Sequence, residues 1–170
     1  MKVLILAGSP RKNGQSYKLV EAFKQGLKPD YEVEVLPVGN MKINGCLACE
    51  YCHTKGEGKC IQQDDMQKIY PSLKAANVVV LASPVHYWGL SGQLQSMLTR
   101  WYAPHKPAQA TKYVLLLASG SEGVYDGIEF QFKECIPYIG GQLAGIVKTS
   151  MESGNIAKAC EEAKALAGRL

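Results

Sequence analysis

The 170-residue sequence lacks any long apolar run. No uncharged stretch approaches the ~20 residues that a membrane-spanning helix requires, so we expect no membrane association. The N-terminal run VLILAG is too short for a secretory signal and has no A-x-A cleavage pattern, so a cytoplasmic location is expected. Internal repeats, low-complexity bias and linkers rich in Pro, Gly and Ser are also missing. We therefore predict a single domain over residues 1–170.

A strong net charge is missing too. The chain has 19 Lys and Arg against 15 Asp and Glu, and a net charge of +4 is too weak to indicate a nucleic-acid partner. The distribution of charge is more informative. Residues 1–28 contain six basic residues and one acidic residue, which makes this segment +5 and the remainder −1. A basic segment of this size suits a small anionic ligand better than a long polyanion.

Short apolar runs alternate with segments of helical spacing along the chain. The strand candidates are residues 2–7, 31–38, 77–82, 112–118 and 142–149. The helix candidates are residues 16–27, 64–75, 91–102, 128–139 and 156–166. This alternation predicts an α/β fold with helices on both faces of a parallel sheet. Specifically, we predict a doubly wound sheet of five strands in the flavodoxin-like order 2-1-3-4-5.

In that order the second strand lies at an edge, which agrees with its alternating charges and with Pro37 near its end. Open α/β sheets bind ligands outside the carboxyl ends of their strands, near the point where the strand order reverses. The loops after strands 1, 3 and 4 are therefore the expected site.

The loop after strand 1 reads GSPRKNGQS and matches neither G-x-G-x-x-G nor G-x-x-x-x-G-K-[ST]. It nevertheless suits a phosphate, since Ser9, Gln15 and Ser16 offer side-chain donors and Arg11 can add a charge-assisted hydrogen bond. The helix that follows directs free backbone N–H groups at the same place. The alternative is an ordinary strand-to-helix turn with a capping serine.

The loop after strand 3 places two aromatic residues at the predicted ligand end. A flat apolar ring can rest on Pro84 and Val85 beside Tyr87 or Trp88. The alternative is that these aromatics cover the core or form an oligomer contact. We assign no catalytic role to His86 or to His105, and Asp64-Asp65 is more simply a helix N-cap than a catalytic pair.

Four of the six cysteines lie in an insert at about residues 44–62, spaced C-x2-C-x2-C-x7-C at Cys46, Cys49, Cys52 and Cys60. Thiolates at this compact spacing favour a [4Fe–4S] cluster. Zinc also accepts four thiolates, although its usual spacing separates two C-x2-C pairs by a longer insert. Unliganded or redox-active thiols are the third possibility.

Three motifs together resemble the NADPH-dependent FMN reductases of flavodoxin-like fold: GSPRKNGQS, SPVHYWGLSGQL and CLACEYC…GKCIQQDDM. The last is similar to the iron–sulfur flavoprotein branch. The resemblance implies one set of residues for the FMN phosphate: Ser9, Arg11, Gln15 and Ser16. It implies another set bordering the isoalloxazine: Pro84, Val85, Tyr87 and Trp88 on one side, Ser119 and Gly120 on the other.

The same resemblance implies a function. NAD(P)H would reduce FMN, and the electrons would pass to a small acceptor such as a quinone or a flavin, or through a [4Fe–4S] cluster on the four cysteines. No catalytic side chain is required, and a homodimer or homotetramer is expected. Two alternatives stay open at this point, namely a non-enzymatic flavodoxin-like electron carrier and a zinc-stabilised binding module. The chain departs from its relatives at Gln95, where they often have Lys, and at Thr99-Arg100, where they often have Asp-Arg.

Overall fold

The computed structural model describes residues 1–104 and 109–170, so His105 lies outside the described residues. The strands are β1 (Lys2–Ala7), β2 (Glu32–Leu36), β3 (Val78–Pro84), β4 (Lys112–Ser119) and β5 (Gln142–Ser150). The helices are α1 (Gln15–Gly26), α2 (Tyr51–Thr54), α3 (Met66–Ala75), α4 (Gly92–Thr99), α5 (Asp126–Tyr138) and α6 (Ile156–Gly168). None of the helices in these two ranges has the length and apolar character needed to cross a membrane.

The strands form one parallel sheet in the order β2-β1-β3-β4-β5, which confirms the predicted topology. Strand β2 is an edge strand, as predicted. Its Glu32 and Glu34 are exposed, whereas Val33 and Val35 are half-buried. The three inner strands are buried along nearly their whole length, because a parallel sheet is covered on both faces.

Two apolar layers cover the sheet, because successive strand residues point to opposite faces. On one face, Val3, Ile5 and Val80 pack against α1 and α6. On the other face, Leu4, Leu81 and Leu115 pack against α3, α4 and α5. Because all five strands are parallel, the loops that follow them all leave the sheet at its carboxyl edge, where the ligand was expected.

Two element boundaries differ from the prediction. Strand β3 continues through Ser83 and Pro84, because Pro84 still pairs in register with Ala118 of β4. The helix predicted for residues 91–102 is α-helical only to Thr99, and a 3₁₀ turn over Arg100–Tyr102 follows. Helix α2, inside the cysteine-rich segment, was not predicted at all.

Candidate functional site

The loops after β1, β3 and β4 lie against one another at the carboxyl edge of the sheet. The Gly8 N–H donates to the Ala82 carbonyl at 2.7 Å, and the Val85 N–H donates to the Ala118 carbonyl at 2.8 Å. A Cβ on Gly8 would lie 2.3 Å from the Leu94 side chain, so the first loop lies directly on α4. A Cβ on Gly127 would lie 3.0 Å from the Trp88 carbonyl, so the second loop touches α5.

The loop after β1 leaves the amino end of α1 open. Ser9 is buried, and its Oγ accepts a hydrogen bond from the Arg11 N–H at 3.2 Å, which folds the loop back on itself. Gly14 occupies the N-cap position and has no side chain to offer, so α1 begins without a side-chain cap. The 12-residue helix therefore presents uncapped N–H groups and the positive end of its dipole at this loop.

Gln15 and Ser16 form the first turn of α1, and Arg11 lies exposed beside it. Ser16 is buried. Within the described ranges, the buried Gln15 Oε1 has no hydrogen-bond donor. A buried acceptor without a partner is rare in folded proteins and points to a group that arrives with a bound molecule.

The loop after β3 forms a tight turn that we call the aromatic turn, residues 86–89. The backbones of His86 and Gly89 exchange two hydrogen bonds, at 2.9 and 3.0 Å. Tyr87 and Trp88 occupy the centre with φ of 49° and 59°. Two consecutive left-handed residues are usual for Asn-Gly but costly for aromatic side chains. Tyr87 is 98% exposed and Trp88 56% exposed, so burial in the chain does not offset this cost.

The loop after β4 has fewer polar side chains free to contact a ligand than its sequence suggests. The Ser119 hydroxyl lies 2.5 Å from the Tyr125 hydroxyl, which in turn donates to the Thr149 carbonyl at 2.9 Å. Ser119 is therefore buried and engaged inside the protein. Gly120 is exposed, and a Cβ at this position would meet no atom within 4 Å. A ligand here would meet the backbone of Gly120 rather than the Ser119 hydroxyl.

The four cysteines of the insert line one small cavity together with Arg100 and Tyr102. Cys46 and Cys49 are exposed, whereas Cys52 and Cys60 are half-buried. Ala48 and Glu50, on either side of Cys49, have left-handed φ of 50° and 56°, so the backbone turns tightly here. Burial, followed by the proximity of Cys60, Glu50 and Cys46, raises the pKa of the Cys52 thiol.

This cavity is not a preformed metal site. Its volume is about 10 Å³, barely room for a single water molecule. In residues 1–104 and 109–170, no three His, Cys, Asp or Glu side chains are grouped to hold a metal ion. Four thiols around one cavity are the right donors for zinc or a cluster, but the exposed part of the loop would have to move outward to admit either.

A buried ion pair flanks the cysteine cavity. Arg100 is 1% exposed, and its Nη1 donates to Asp64 Oδ2 at 2.7 Å and to the Asn44 carbonyl at 3.0 Å. Among the described residues, its Nε and Nη2 have no partner. Asp64 also accepts the Met66 N–H at 3.1 Å, as a residue capping α3 does. Burial alone would raise the pKa of Asp64, but the hydrogen bonds from Arg100, Asn44 and Met66 lower it.

Arg100 entered the sequence analysis only as part of the Thr99-Arg100 pair, and its ion pair with Asp64 was not predicted. The available signal was its position three residues after Met97, which places it on the apolar face of the helix predicted for residues 91–102. The role of Gly39 was not predicted either, although a Cβ there would lie 2.4 Å from the Ser9 backbone. Gly39 lets the segment after β2 close over the first loop, and no motif marks it.

Curated proteins with similar sequences include several iron-sulfur flavoproteins. An iron-sulfur flavoprotein of Archaeoglobus fulgidus is 35% identical over 130 residues, which are 75% of this chain and 56% of that protein. One from Methanocaldococcus jannaschii is 38% identical over 100 residues, 59% of this chain and 50% of that protein. The chain thus spans about half the length of these curated relatives.

Solved structures share the fold at low sequence identity. An FMN-dependent NADH-azoreductase from Bacillus anthracis in complex with FMN superposes with a TM-score of 0.72 at 16% identity, covering 99% of this chain and 98% of that one. An NAD(P)H:quinone oxidoreductase from Methanothermobacter marburgensis gives 0.75 at 15% identity, covering 99% and 96%. Residues 1–153 match the family described as NADPH-dependent FMN reductase. With its parallel sheet, its open α1 terminus and this match over most of its length, the chain belongs to the NADPH-dependent FMN reductase family.

Proposed function

We propose that this protein is an FMN-dependent NAD(P)H oxidoreductase. It passes electrons from a nicotinamide to the flavin and then to a small acceptor, such as a quinone or a flavin, or through a [4Fe–4S] cluster. The observation that carries the proposal is the meeting of an uncapped α1 terminus with an exposed aromatic turn at one edge of the sheet. A molecule with a phosphate at one end and a flat ring at the other suits that pair of features.

The residues at the α1 terminus suit the phosphate and the chain attached to it. The phosphate would accept hydrogen bonds from the first N–H groups of α1 and from Ser9 and Ser16, with the Arg11 guanidinium adding positive charge. The buried Gln15 Oε1 needs a donor, and a ribityl hydroxyl of FMN supplies one. This match between an unpartnered acceptor and a polyhydroxy ligand favours FMN over a bare phosphate.

The aromatic turn and the adjacent loops suit the ring. Pro84 and Val85 would support one face of the isoalloxazine, with Tyr87 and Trp88 beside it and the Gly120 backbone at the far side. When bound, FMN accepts the hydride of the nicotinamide and releases electrons to the acceptor. The protein's part is to bind and orient the ring, to limit water around it and to leave one face open. No side chain of the site is assigned a proton-transfer role.

The acceptor class rests on the names of fold neighbours. One is a quinone oxidoreductase and another an azoreductase, and both names describe reduction of small conjugated molecules. Flat acceptors of this kind fit an open site bounded by exposed aromatic side chains.

The proposal also includes a [4Fe–4S] cluster held by the four cysteines of the insert. Cys46, Cys49, Cys52 and Cys60 share one cavity, which supports a common occupant, and the relatives named iron-sulfur flavoproteins favour a cluster over zinc. Arg100 lines the same cavity and would place a positive charge beside a negatively charged sulfur-rich group. Four free thiols at such spacing also need a reducing compartment, so we place the protein in the cytoplasm.

We also propose that the chain acts as a single domain with a cysteine-rich insert and that it assembles as a homodimer or homotetramer. Tyr87 is 98% exposed, so the chain itself does not cover this side of the proposed flavin pocket. A second copy of the chain would cover it, since aromatic residues are enriched at interfaces.

The test begins with anaerobic purification and an absorbance spectrum. We expect flavin bands, and rapid bleaching of those bands by NADPH or NADH in stopped flow. Arg11→Gln should weaken FMN binding at least tenfold but leave riboflavin binding unchanged, since riboflavin has no phosphate. Lys24→Gln, which removes a surface cation from the last turn of α1, far from the loop that contains Arg11, is the control and should change neither. A colourless protein that refuses FMN would refute the proposal. Bound FMN that no nicotinamide reduces would favour the electron-carrier alternative.

A further inference from the structure

We propose that a groove along α1 binds the adenosine end of NADPH, and that Lys12 and Lys18 hold its 2′-phosphate. The chain therefore prefers NADPH to NADH, which lacks that phosphate. This inference rests on the proposed oxidoreductase function and adds to it the choice between the two nicotinamides. It assigns a role to two lysines that the proposed flavin site does not use.

The shape of the groove is the first argument. This cavity, which we call the α1 groove, lies between α1 and the edge strand β2 and is lined by Tyr17 and Ala22 on one side and by Val35 and Pro37 on the other. Its volume of about 860 Å³ lies within the roughly 300–1,000 Å³ typical of small-molecule sites. A tyrosine ring beside apolar side chains is a surface on which an adenine base can rest.

The charge of the α1 groove is the second argument. Lys12 and Lys18 both line it and are exposed, and among the described residues neither forms an ion pair with a carboxylate. Glu21 also lines the groove, but its charge is balanced by Lys24 at 3.0 Å. The groove is therefore positive, and a phosphate monoester is a group that two ammonium groups bind well.

The position of the α1 groove relative to the proposed flavin site is the third argument. Lys12 and Asn13, which line the groove, directly follow Arg11 in the loop after β1. In the sheet, β2 lies two strands from β3 and three strands from β4, so about 10–15 Å separates the groove from the loops that border the flavin ring. An extended dinucleotide covers such a distance, with its nicotinamide on the ring and its adenosine in the groove.

Two rival explanations of these lysines predict different results. If Lys12 and Lys18 bind the FMN phosphate together with Arg11, their loss weakens FMN binding. If they attract anions only through net charge, their loss affects NADPH and NADH alike, and removal of another lysine has the same effect. Lys28→Gln is the matched control, because Lys28 belongs to the same basic segment and is exposed, but follows the end of α1 and does not line the groove.

The experiment compares wild type, Lys12→Gln, Lys18→Gln and Lys28→Gln as full chains loaded with FMN. Steady-state kinetics with a quinone acceptor give kcat and KM for NADPH and for NADH, and quenching of flavin fluorescence gives the affinity for FMN. Calorimetry gives the affinities for adenosine 2′,5′-bisphosphate and adenosine 5′-monophosphate. These two probes differ only in the 2′-phosphate and carry no nicotinamide, so their binding reports on the groove independently of hydride transfer.

We expect wild type to have a KM for NADPH at least tenfold lower than its KM for NADH, and to bind the bisphosphate at least tenfold more tightly than the monophosphate. Lys12→Gln and Lys18→Gln should each raise the KM for NADPH about tenfold and weaken bisphosphate binding equally, because each removes a hydrogen bond between charged groups. The kcat, the KM for NADH and the affinity for FMN should not change, since only binding of the 2′-phosphate is lost. Lys28→Gln should match wild type throughout.

Three results would overturn the inference while the proposed oxidoreductase stands. They are equal use of NADPH and NADH by wild type, lysine variants that lose affinity for both nicotinamides alike, and lysine variants that bind FMN more weakly instead. Bound flavin that neither nicotinamide reduces would refute the proposed function, and calorimetry would then decide the inference alone. A wild-type chain that binds the two adenosine probes equally well, or binds neither, would end it.

Discussion

Replacement of Tyr87 by Asn should stabilise the FMN-free protein and weaken FMN binding at the same time. Tyr87 is 98% exposed, so removing its ring loses almost no buried surface in the FMN-free chain. Its φ of 49° lies in the left-handed region, which costs a non-glycine residue about 1–2 kcal/mol. Asn tolerates that region and is preferred at this turn position, so Tyr87→Asn should recover about 0.5–1 kcal/mol of that strain.

The same substitution removes a ring from the proposed flavin pocket. An aromatic contact is worth about 0.5–1.5 kcal/mol, so FMN should bind roughly two- to tenfold more weakly. The free energy of unfolding is measured by urea titration of the FMN-free chain, and affinity by quenching of flavin fluorescence.

Two further substitutions separate the two effects. Tyr87→Phe keeps both the ring and the strained φ, so it should match wild type in stability and in affinity. Tyr87→Ala removes the ring but keeps most of the strain, so it should lose affinity without the gain in stability. A Tyr87→Asn variant no more stable than wild type would refute backbone strain at this residue, and Asn and Ala variants that bind FMN as tightly as wild type would refute a role for the ring.

Gly8→Ala should cost about 1–3 kcal/mol in urea unfolding, because its Cβ would lie 2.3 Å from Leu94, whereas Gly120→Ala, with open space around it, should cost far less. Glu129→Gln tests a pH effect. Hydrogen bonds from Lys148 and Lys133 lower the pKa of Glu129, so the stability that these ion pairs contribute is fully present above about pH 4.5 and is lost as the pH falls through the lowered pKa. The free energy of unfolding of wild type should therefore exceed that of this variant by about 1 kcal/mol at pH 7, and the difference should shrink as the pH falls below about 4.5. Cys52→Ser should abolish iron loading in reconstitution, whereas Cys135→Ser, on α5, should leave it intact; equal loading in both would count against the cysteine cavity.

The fold was predictable because its signals are local. Strand β1 was predicted to the residue, since KVLILA is a continuous apolar run that ends at Gly8, and the edge position of β2 followed from its alternation and Pro37. The topology followed from the alternation of strands and helices, because five strands in one small domain fit the flavodoxin-like order.

The parts of the site that escaped prediction depend on contacts between distant residues. The helical spacing of Leu94, Met97 and Trp101 extends past Thr99, yet the α-helix ends there. The turn that follows holds Arg100 against Asp64, 36 positions earlier, and no local pattern records such a pair. The hydrogen bond between the Ser119 and Tyr125 hydroxyls also had no signal in the sequence, and the role of Ser119 toward a ligand stays a prediction.

Helix α4 joins the two parts of the proposed site. It begins beside the aromatic turn, where Ser91 Oγ caps the Leu94 N–H and the helix packs on Gly8. It ends at Thr99, whose Oγ1 accepts the Cys46 N–H at 2.9 Å. Eight helical residues span about 12 Å, and side-chain hydrogen bonds with Ser83 and Cys46 hold the two ends. The loops of the proposed flavin site and the cysteine cavity are therefore held at a short separation, which suits the electron exchange that the proposed function includes.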